Sequence, residues 1–374
     1  MRLQSLTPII LRYPDANDFS RDRMTVLLRA QTTDGIVGWG EGVAMWPEAC
    51  AATAQIIKDG LAPLLLGKDL DTDSAWTTMK EHTWWYGEGG IASFALSAID
   101  IALWDIKGKE TGKPLYELLG GRRHESLKAI ASCHVNKATL QACVAEVEGF
   151  FSNGFEGVKL GFAKKGLSRV GFDPEEDVAF VRQLRQALGD SAEILVDAGN
   201  GVKWDVQTAI STVRRMQEFG IGWIEEPFHP SRIDDYRALK SAVKVPIATG
   251  EREWTVSAYS RLMATGTVDM LGVDPARAEG ITGFKKISDE ATARQIGINA
   301  HAWSTAITTA ASLHLSIASP QARVFELKPL PVVVQTELVT EPIWHQDGFV
   351  SVTDRPGLGI EVREDVVQRF RVGL

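Results

Sequence analysis

The sequence predicts an α/β chain: an eight-stranded (β/α) barrel with one helix missing, preceded by a small α+β domain. Three observations predict it. From about Leu127 short apolar runs alternate with amphipathic helical stretches, which implies a parallel sheet. Eight such runs and seven intervening helices occupy about 200 residues, close to a barrel's length. The first ~125 residues have another texture, with β-rich runs followed by three helical stretches.

Residues 1–125 form the first unit. In RMTVLLRAQTTDGIVGWGE two β-rich runs flank Asp34-Gly35, a hairpin signal. Helices follow near 48–65, 71–83 and 91–110, and in the last Ala95, Ile99, Ala102 and Ile106 recur at helical spacing. Gly120-Gly121 closes the unit.

Residues 126–326 form the barrel. Its strands are LKAIASC, EGVKLG, AEILVD, GWIEEP, VPIATGE, VDMLGVD, GINAH and ARVFE. Its helices lie near 138–152, 174–188, 205–219, 231–242, 255–265, 282–295 and 305–317. Asp173 is an N-cap, with Pro174 at N1 and Glu176 at N3. Glycines 154, 189, 220, 266 and 297 stand where helices end. Residues 327–374 have little helix, include the turn-rich TDRPGLGIEV and are expected to return to the first domain.

Composition narrows the function classes. Of 374 residues 44% are apolar and 24% charged, ordinary for a globular chain. Lys plus Arg number 40 against 48 Asp plus Glu, a net charge of −8 that gives no general reason to bind nucleic acid. No apolar stretch is long enough for a membrane span; the best, Ile91 to Ile106, is broken by Asp100 and Asp105. The N-terminus lacks a signal peptide's apolar core and cleavage site, and RFRVGL is not a lipidation box. Cys50, Cys133 and Cys143, without CxxC spacing, argue against a disulfide framework or zinc ribbon and for a cytoplasmic protein. GKETGKP is one residue short of a phosphate loop, GWGEGV is not GxGxxG, and neither GxSxG nor HExxH occurs.

Barrel chemistry sits at the C-terminal ends of the strands. The last polar residues of the runs are Lys159, Asp197, Glu225, Glu251, Asp274, His301 and Glu326, and from Asp197 the gaps are 28, 26, 23, 27 and 25 residues. Each is about one βα unit. A single carboxylate after a strand is usually a helix cap or a surface residue; six ionisable groups in register are harder to dismiss. Asp197, Glu225 and Glu251 on consecutive strands would repel without a cation, and all-oxygen ligation suits Mg²⁺ better than zinc. Alternation sends Glu225 to the rim and Glu226 away. Asp274 beside His301 fixes a tautomer and raises basicity. Glu326, if protonated, would donate a hydrogen bond, and Lys159 lies opposite.

SAIDIALWDIKGKETGKPLYELLGG, VDAGN, WIEEP, ATGE, GVDPARAEGITG, NAHAW and VFE together resemble the enolase superfamily, and within it the mandelate racemase subgroup (mandelate racemase/muconate lactonizing enzyme family). The resemblance covers almost the whole chain. It implies an α+β N-terminal capping domain and a (β/α)7β modified TIM barrel. It also implies Mg²⁺ held by Asp197, Glu225 and Glu251, an Asp274–His301 base, and Glu326 as an electrophile toward the enolic intermediate. The shared partial reaction is abstraction of the proton α to a carboxylate, so the implied partner is a small carboxylic acid, and homo-oligomers are usual.

Two departures matter. The subgroup usually carries Lys-x-Lys on the second strand; here the run is Lys159-Leu160-Gly161, and Lys164-Lys165 beyond it reads as a solvated turn. A racemase needs a base on each face, whereas one His serves a syn β-elimination. The expectation is therefore an acid-sugar (aldonate or aldarate) dehydratase, a hydro-lyase giving a 2-keto-3-deoxy acid. A cycloisomerase or epimerase is the rival, and a non-catalytic sugar-acid-binding homologue the alternative from another class. In VDAGN the Asn position usual for the family is Gly199, leaving Asn200 as the candidate substrate contact. Specificity would come from capping loops: Tyr13 to Met24 with Arg21 and Arg23, Met45-Trp46, and the run His82 to Tyr86 with Trp84. Trp254, Trp303 and Arg252 follow the rim residues closely.

Overall fold

The protein is described by a computed structural model covering residues 1–69, 71–164, 167–199 and 201–373. Strands β1 (Leu3–Asp15), β2 (Arg21–Thr32) and β3 (Val37–Met45) form an antiparallel sheet. The turn between β2 and β3 uses Gly35 at φ +94°, whose N–H donates to the Thr32 carbonyl at 3.1 Å. Helices Pro47–Gln55 and Ile91–Thr111 pack against the sheet, and Thr72–Thr83 packs against Ile91–Thr111. The first runs through a π-helical stretch, Ile56–Leu61, into Ala62–Leu65, so the expected single helix is three segments. In GWGEGV the glycines serve packing: a Cβ on Gly40 would lie 1.9 Å from the Ala98 carbonyl oxygen, inside the long helix.

The barrel strands are β4 (Leu127–His134), β5 (Gly157–Gly161), β6 (Glu193–Asp197), β7 (Trp223–Glu225), β8 (Ile247–Thr249), β9 (Met270–Val273), β10 (Gly297–Ala300) and β11 (Val324–Leu327). Each pairs in parallel with the next up to β10, and β11 pairs with β4. The last gap is bridged by the Ile298 N–H, which donates to the Gln321 carbonyl at 3.2 Å. Seven helices connect the strands: Leu140–Ser152, Pro174–Leu188, Val206–Met216, Ile233–Ala242, Val256–Ala264, Gly280–Ala293 and Ala306–Ala318. Asp173 caps Pro174–Leu188 through the Glu175 N–H at 3.0 Å. A short strand absent from the sequence reading, β12 (Phe349–Val350), adds antiparallel to β4.

Strand alternation explains how the barrel carries its chemistry. Ile130, Leu195, Trp223, Ala248, Met270 and Val324 form a buried apolar cluster. Two residues beyond Leu195, Trp223 and Val324 stand Asp197, Glu225 and Glu326, which a period of two puts on the same inward face, one layer higher.

Buried carboxylates join the first unit to the barrel. Asp100 accepts from the Thr282 N–H at 2.8 Å and the Thr282 hydroxyl at 2.7 Å. Glu41 accepts from the hydroxyls of Thr25 (2.7 Å), Ser304, Thr305 and Thr308 (each 2.5 Å), and from the Thr308 N–H (3.2 Å) at the start of Ala306–Ala318. That places a carboxylate at a helix N-terminus, where the dipole favours it. Asp105 accepts from Trp39 N–H and Leu358 N–H at 3.0 and 2.9 Å. The C-terminal segment also touches β1: Val372 N–H donates to the Ile10 carbonyl at 2.9 Å, and Lys328 Nζ lies 2.6 Å from Asp15 Oδ2.

Candidate active site

A cavity of about 400 Å³ opens over the strand ends. Lys159, Asp197, Glu251, His301 and Glu326 line it, with Arg21, Arg23, Met45, Lys164, Arg252, Arg277 and Trp303. Register aligns the strand ends: Gly161 pairs with Asp197, and Asp197 with Glu225.

His301 Nδ1 lies 2.8 Å from Asp274 Oδ2. The carboxylate accepts, so the proton sits on Nδ1 and Nε2 is left as the basic nitrogen, 3.3 Å from Glu251 Oε2. Arg277 Nε approaches the same Asp274 oxygen at 3.5 Å. Burial opposes ionisation of Glu251, but His301 in its protonated form, with Arg277, Lys159 and Arg252, outweighs it and holds this carboxyl down at about 2.

Lys159 Nζ donates to Glu225 at 3.1–3.2 Å and lies 3.0 Å from Glu326 Oε1. Burial disfavours its charge, yet Glu225, Glu326, Asp197 and Glu251 outweigh burial and hold the ammonium well above the usual lysine range. Glu225 also accepts from Trp223 Nε1 at 3.1 Å, and Glu326 from Asn299 Nδ2 at 2.5 Å. Burial pushes the Glu225 carboxyl well up, Lys159 opposing and Asp197, Glu326 and Glu251 adding to it. Glu226, in a left-handed conformation at φ +44°, is buried and accepts from Arg252 Nε at 2.6 Å. Its carboxyl is pushed up to about 8 by burial and by Glu251, against Arg252.

Asp197, Glu225 and Glu251 are the residues that could hold a metal. Among the described residues no three His, Cys, Asp or Glu side chains stand together closely enough to grip an ion as placed; Glu225 faces Lys159 and Glu251 faces His301. The donor chemistry fits a hard divalent cation. The ligands are oxygen only, on three successive strands, and Asp197 and Glu251 add to the burial that raises Glu225.

The remaining expectations divide. Trp303 and Arg252 line the cavity. Trp46 and Trp254 line an adjoining cavity of about 690 Å³ that shares Met45, Glu251, Arg252 and Arg277 with the first. Trp84 lines neither; it is 63% exposed and packs on Trp85 at 5.8 Å. Asn200 and Lys165 lie outside the described residues. The solvated-turn reading of Lys164 is corrected: this side chain lines the cavity, because Gly161 leaves it the room. A Cβ on Gly161 would meet Lys164 Cε at 2.8 Å. His134 and Arg277 were missed. His134 ends β4, a strand the survey of rim residues passed over, and Arg277 stands three residues after Asp274.

Two family models match the chain: the mandelate racemase/muconate lactonizing enzyme N-terminal domain over residues 16–120, and the enolase C-terminal domain-like model over residues 142–366. The chain belongs to the enolase superfamily, mandelate racemase subgroup. Its similarity to superfamily members runs end to end. The chain is 32% identical to D-galactarolactone cycloisomerase of Agrobacterium fabrum over 94% of its length and 92% of that protein. It is 30% identical to arabinonate dehydratase of Saccharolobus solfataricus over 92% of its length and 90% of that protein. Among solved structures, the 3,6-anhydro-D-galactonate cycloisomerase of Zobellia galactanivorans superposes with a TM-score of 0.89 at 28% identity, covering 100% of both chains. A racemase of Streptomyces coelicolor with bound magnesium superposes at 0.87 and 26% identity, over 99% of this chain and 100% of that one. Magnesium is thus a ligand of this superfamily. Among the described residues no helix is long and apolar enough to cross a membrane.

Proposed function

We propose that the chain is a Mg²⁺-dependent dehydratase of an acid sugar, an aldonate or aldarate, converting it to a 2-keto-3-deoxy acid. The 2.8 Å contact between His301 Nδ1 and Asp274 carries this reading, since it leaves one basic nitrogen beside the carboxylate cluster. Asp197, Glu225 and Glu251 would hold Mg²⁺, whose charge, when it is bound, would stabilise the negative charge developing on the substrate carboxylate.

His301 Nε2 takes the proton α to the substrate carboxylate. Lys159 keeps its proton and offers positive charge to that carboxylate, with Glu326 beside it at the second carboxylate oxygen. His301 then returns the proton to the β-hydroxyl. The α C–H and β C–O bonds break, a C=C bond forms, water leaves, and the enol tautomerises to the ketone. Acid and base act on one face, so a single imidazole suffices. Racemisation is disfavoured because position 161 is glycine and Lys159 is held protonated.

Cycloisomerisation is the second reading, favoured by the two cycloisomerases among the similar proteins. It uses the same proton abstraction without net loss of water. Proton NMR in D₂O across a panel of acid sugars tests both. The expected result is consumption of one acid with formation of a 2-keto-3-deoxy acid, abolished by EDTA and restored by Mg²⁺. A product of unchanged formula in which a ring has opened or closed selects the cycloisomerase, and a deuterated stereoisomer of the substrate selects an epimerase. Tight calorimetric binding without any exchange overturns both in favour of a sugar-acid-binding homologue.

A further inference from the structure

The cavity has two chemically opposite walls. Carboxylates of the barrel strands make one. The other is built by the turn after β1, by the start of β2 and by Lys164, and it is cationic. Arg23 lies 3.1 Å from Asp18 and 3.6 Å from Asp15, with its guanidinium 4.9 Å above the Trp303 ring. Arg21 is half-exposed, 3.6 Å from Asp18. Behind them the Lys328 ammonium meets Asp15 at 2.6 Å and lies 4.9 Å from the same indole. Lys164 joins the two walls: its Cε lies beside Gly161 with His134, and a Cβ on Gly199 would lie 2.9 Å from its Nζ and 3.3 Å from Asp197 Oδ1. Four cations, Arg21, Arg23, Lys164 and Lys328, thus face three carboxylates, Asp15, Asp18 and Asp197.

Two buried polar atoms beside this wall make no hydrogen bond among the described residues: Trp303 Nε1, and His134 Nδ1, which lies 3.9 Å from Asp18 Oδ1. An indole N–H can only donate, so it calls for an acceptor. Burial, with Lys164 and Arg23 nearby, pushes His134 down to about 3, so its ring is neutral and keeps one N–H. A buried donor left unsatisfied costs about 1–3 kcal/mol. Surplus positive charge and an unsatisfied indole N–H at one spot describe a place for an anion. The first substrate carboxylate is already accounted for at Lys159, on the other wall.

We propose that the wall formed by Arg21, Arg23, Lys164, His134 and Trp303 is a subsite for a second carboxylate, so that the substrate is a dicarboxylic sugar acid (an aldarate) rather than an aldonate. This deepens the function proposed above and rests on it. A bidentate guanidinium matches a carboxylate, and a hydroxymethyl group in its place would leave the surplus charge unmet.

The test compares matched pairs, galactarate with galactonate and glucarate with gluconate. At least one aldarate should exceed its aldonate in kcat/KM by about 100-fold or more. Arg23→Met and Lys164→Met should each cut that preference by about 10-fold or more. Equal kcat/KM within both pairs, or variants that weaken both acids alike, overturns the subsite. Arg23 is braced by Asp15 and Asp18; should Arg23→Met fail to fold, the loop variant Lys164→Met decides. Binding separates this proposal from the dehydratase reading. If no acid turns over, calorimetric titration with and without Mg²⁺ still decides. Galactarate binding more tightly than galactonate, a preference lost in Lys164→Met, sustains the subsite. Equal binding, or none, overturns it.

Discussion

The two walls of the cavity are carried by the chain in different ways. On the barrel wall, successive strands each deliver a side chain from a buried, hydrogen-bonded backbone, and register pairs align them. On the capping wall Asp18 and Phe19 sit in the turn after β1, Arg21 and Arg23 at the start of β2 and Met45 at the end of β3, and Phe19, Ser20 and Met45 adopt left-handed conformations at φ +58°, +56° and +62°. Rigid strand ends suit a proton transfer that tolerates little displacement, while loops vary without disturbing the barrel. Under the proposed function the division assigns reaction type to one wall and substrate choice to the other.

The sharpest way to break that division is on the barrel wall. His301→Asn should lower α-proton exchange by about 10³-fold or more, while the thermal midpoint moves by only a few degrees. Exchange that survives within 10-fold would place the base elsewhere.

Joints between the units give the next effect, on stability. Burial raises the Asp100 carboxyl to about 7, Asp73 adding and the bonds from Thr282 and Ile281 opposing. The folded chain therefore holds a proton that the unfolded chain releases near its ordinary 3.8. Below that pH both states are protonated and the group is neutral in effect. Between about 4 and 7 stability is lost as pH rises, by about 4 kcal/mol in all at about 1.4 kcal/mol per pKa unit, and above 7 the loss is complete. Urea unfolding of wild type against Asp100→Asn, from pH 4 to 8, should show the flatter curve in the variant. Parallel curves would mean that Asp100 is ionised in the fold.

Glu41→Ala leaves four hydroxyls and one N–H without their carboxylate. The expected cost is about 3 kcal/mol in chemical unfolding. The groups released flank Ser304 and Thr305, just after His301, so kcat should fall with stability. A variant as stable as wild type would show that the joint contributes nothing.

What the sequence disclosed follows the same division. Strand-end residues were legible because a period of two and a repeat of 23 to 28 residues turn position along the chain into position on the rim. Asp274 and His301 met as expected for that reason. Lys164 was not legible: a charged pair after a strand reads as solvated, and only the space left by Gly161 draws it inward. His134 went unread because the apolar run LKAIASC ends at Cys133, one residue short of the strand's end. The capping contributors carry no periodicity, so their place could be guessed only from the resemblance. The glycines of β3 read merely as a failed nucleotide motif, since a close approach to a helix 60 residues away leaves no local pattern.

The smallest expected effect tests the comparison from the capping side. The aromatic run at 84–86 was singled out with the other specificity candidates, yet Trp84, Trp85 and Tyr86 are 63%, 83% and 50% exposed. Trp84 stands apart from both cavities and touches Trp85, its own neighbour. Surface substitutions away from buried networks usually change stability by no more than about 0.5 kcal/mol. Trp84→Ala should therefore leave kcat/KM within about 3-fold and stability within that margin. Trp254→Ala, at the adjoining cavity, should raise KM more than Trp84→Ala does. If Trp84→Ala instead costs 10-fold or more in KM, the capping wall extends beyond the turns that line the cavity here, and substrate choice is spread over the exposed face of that domain.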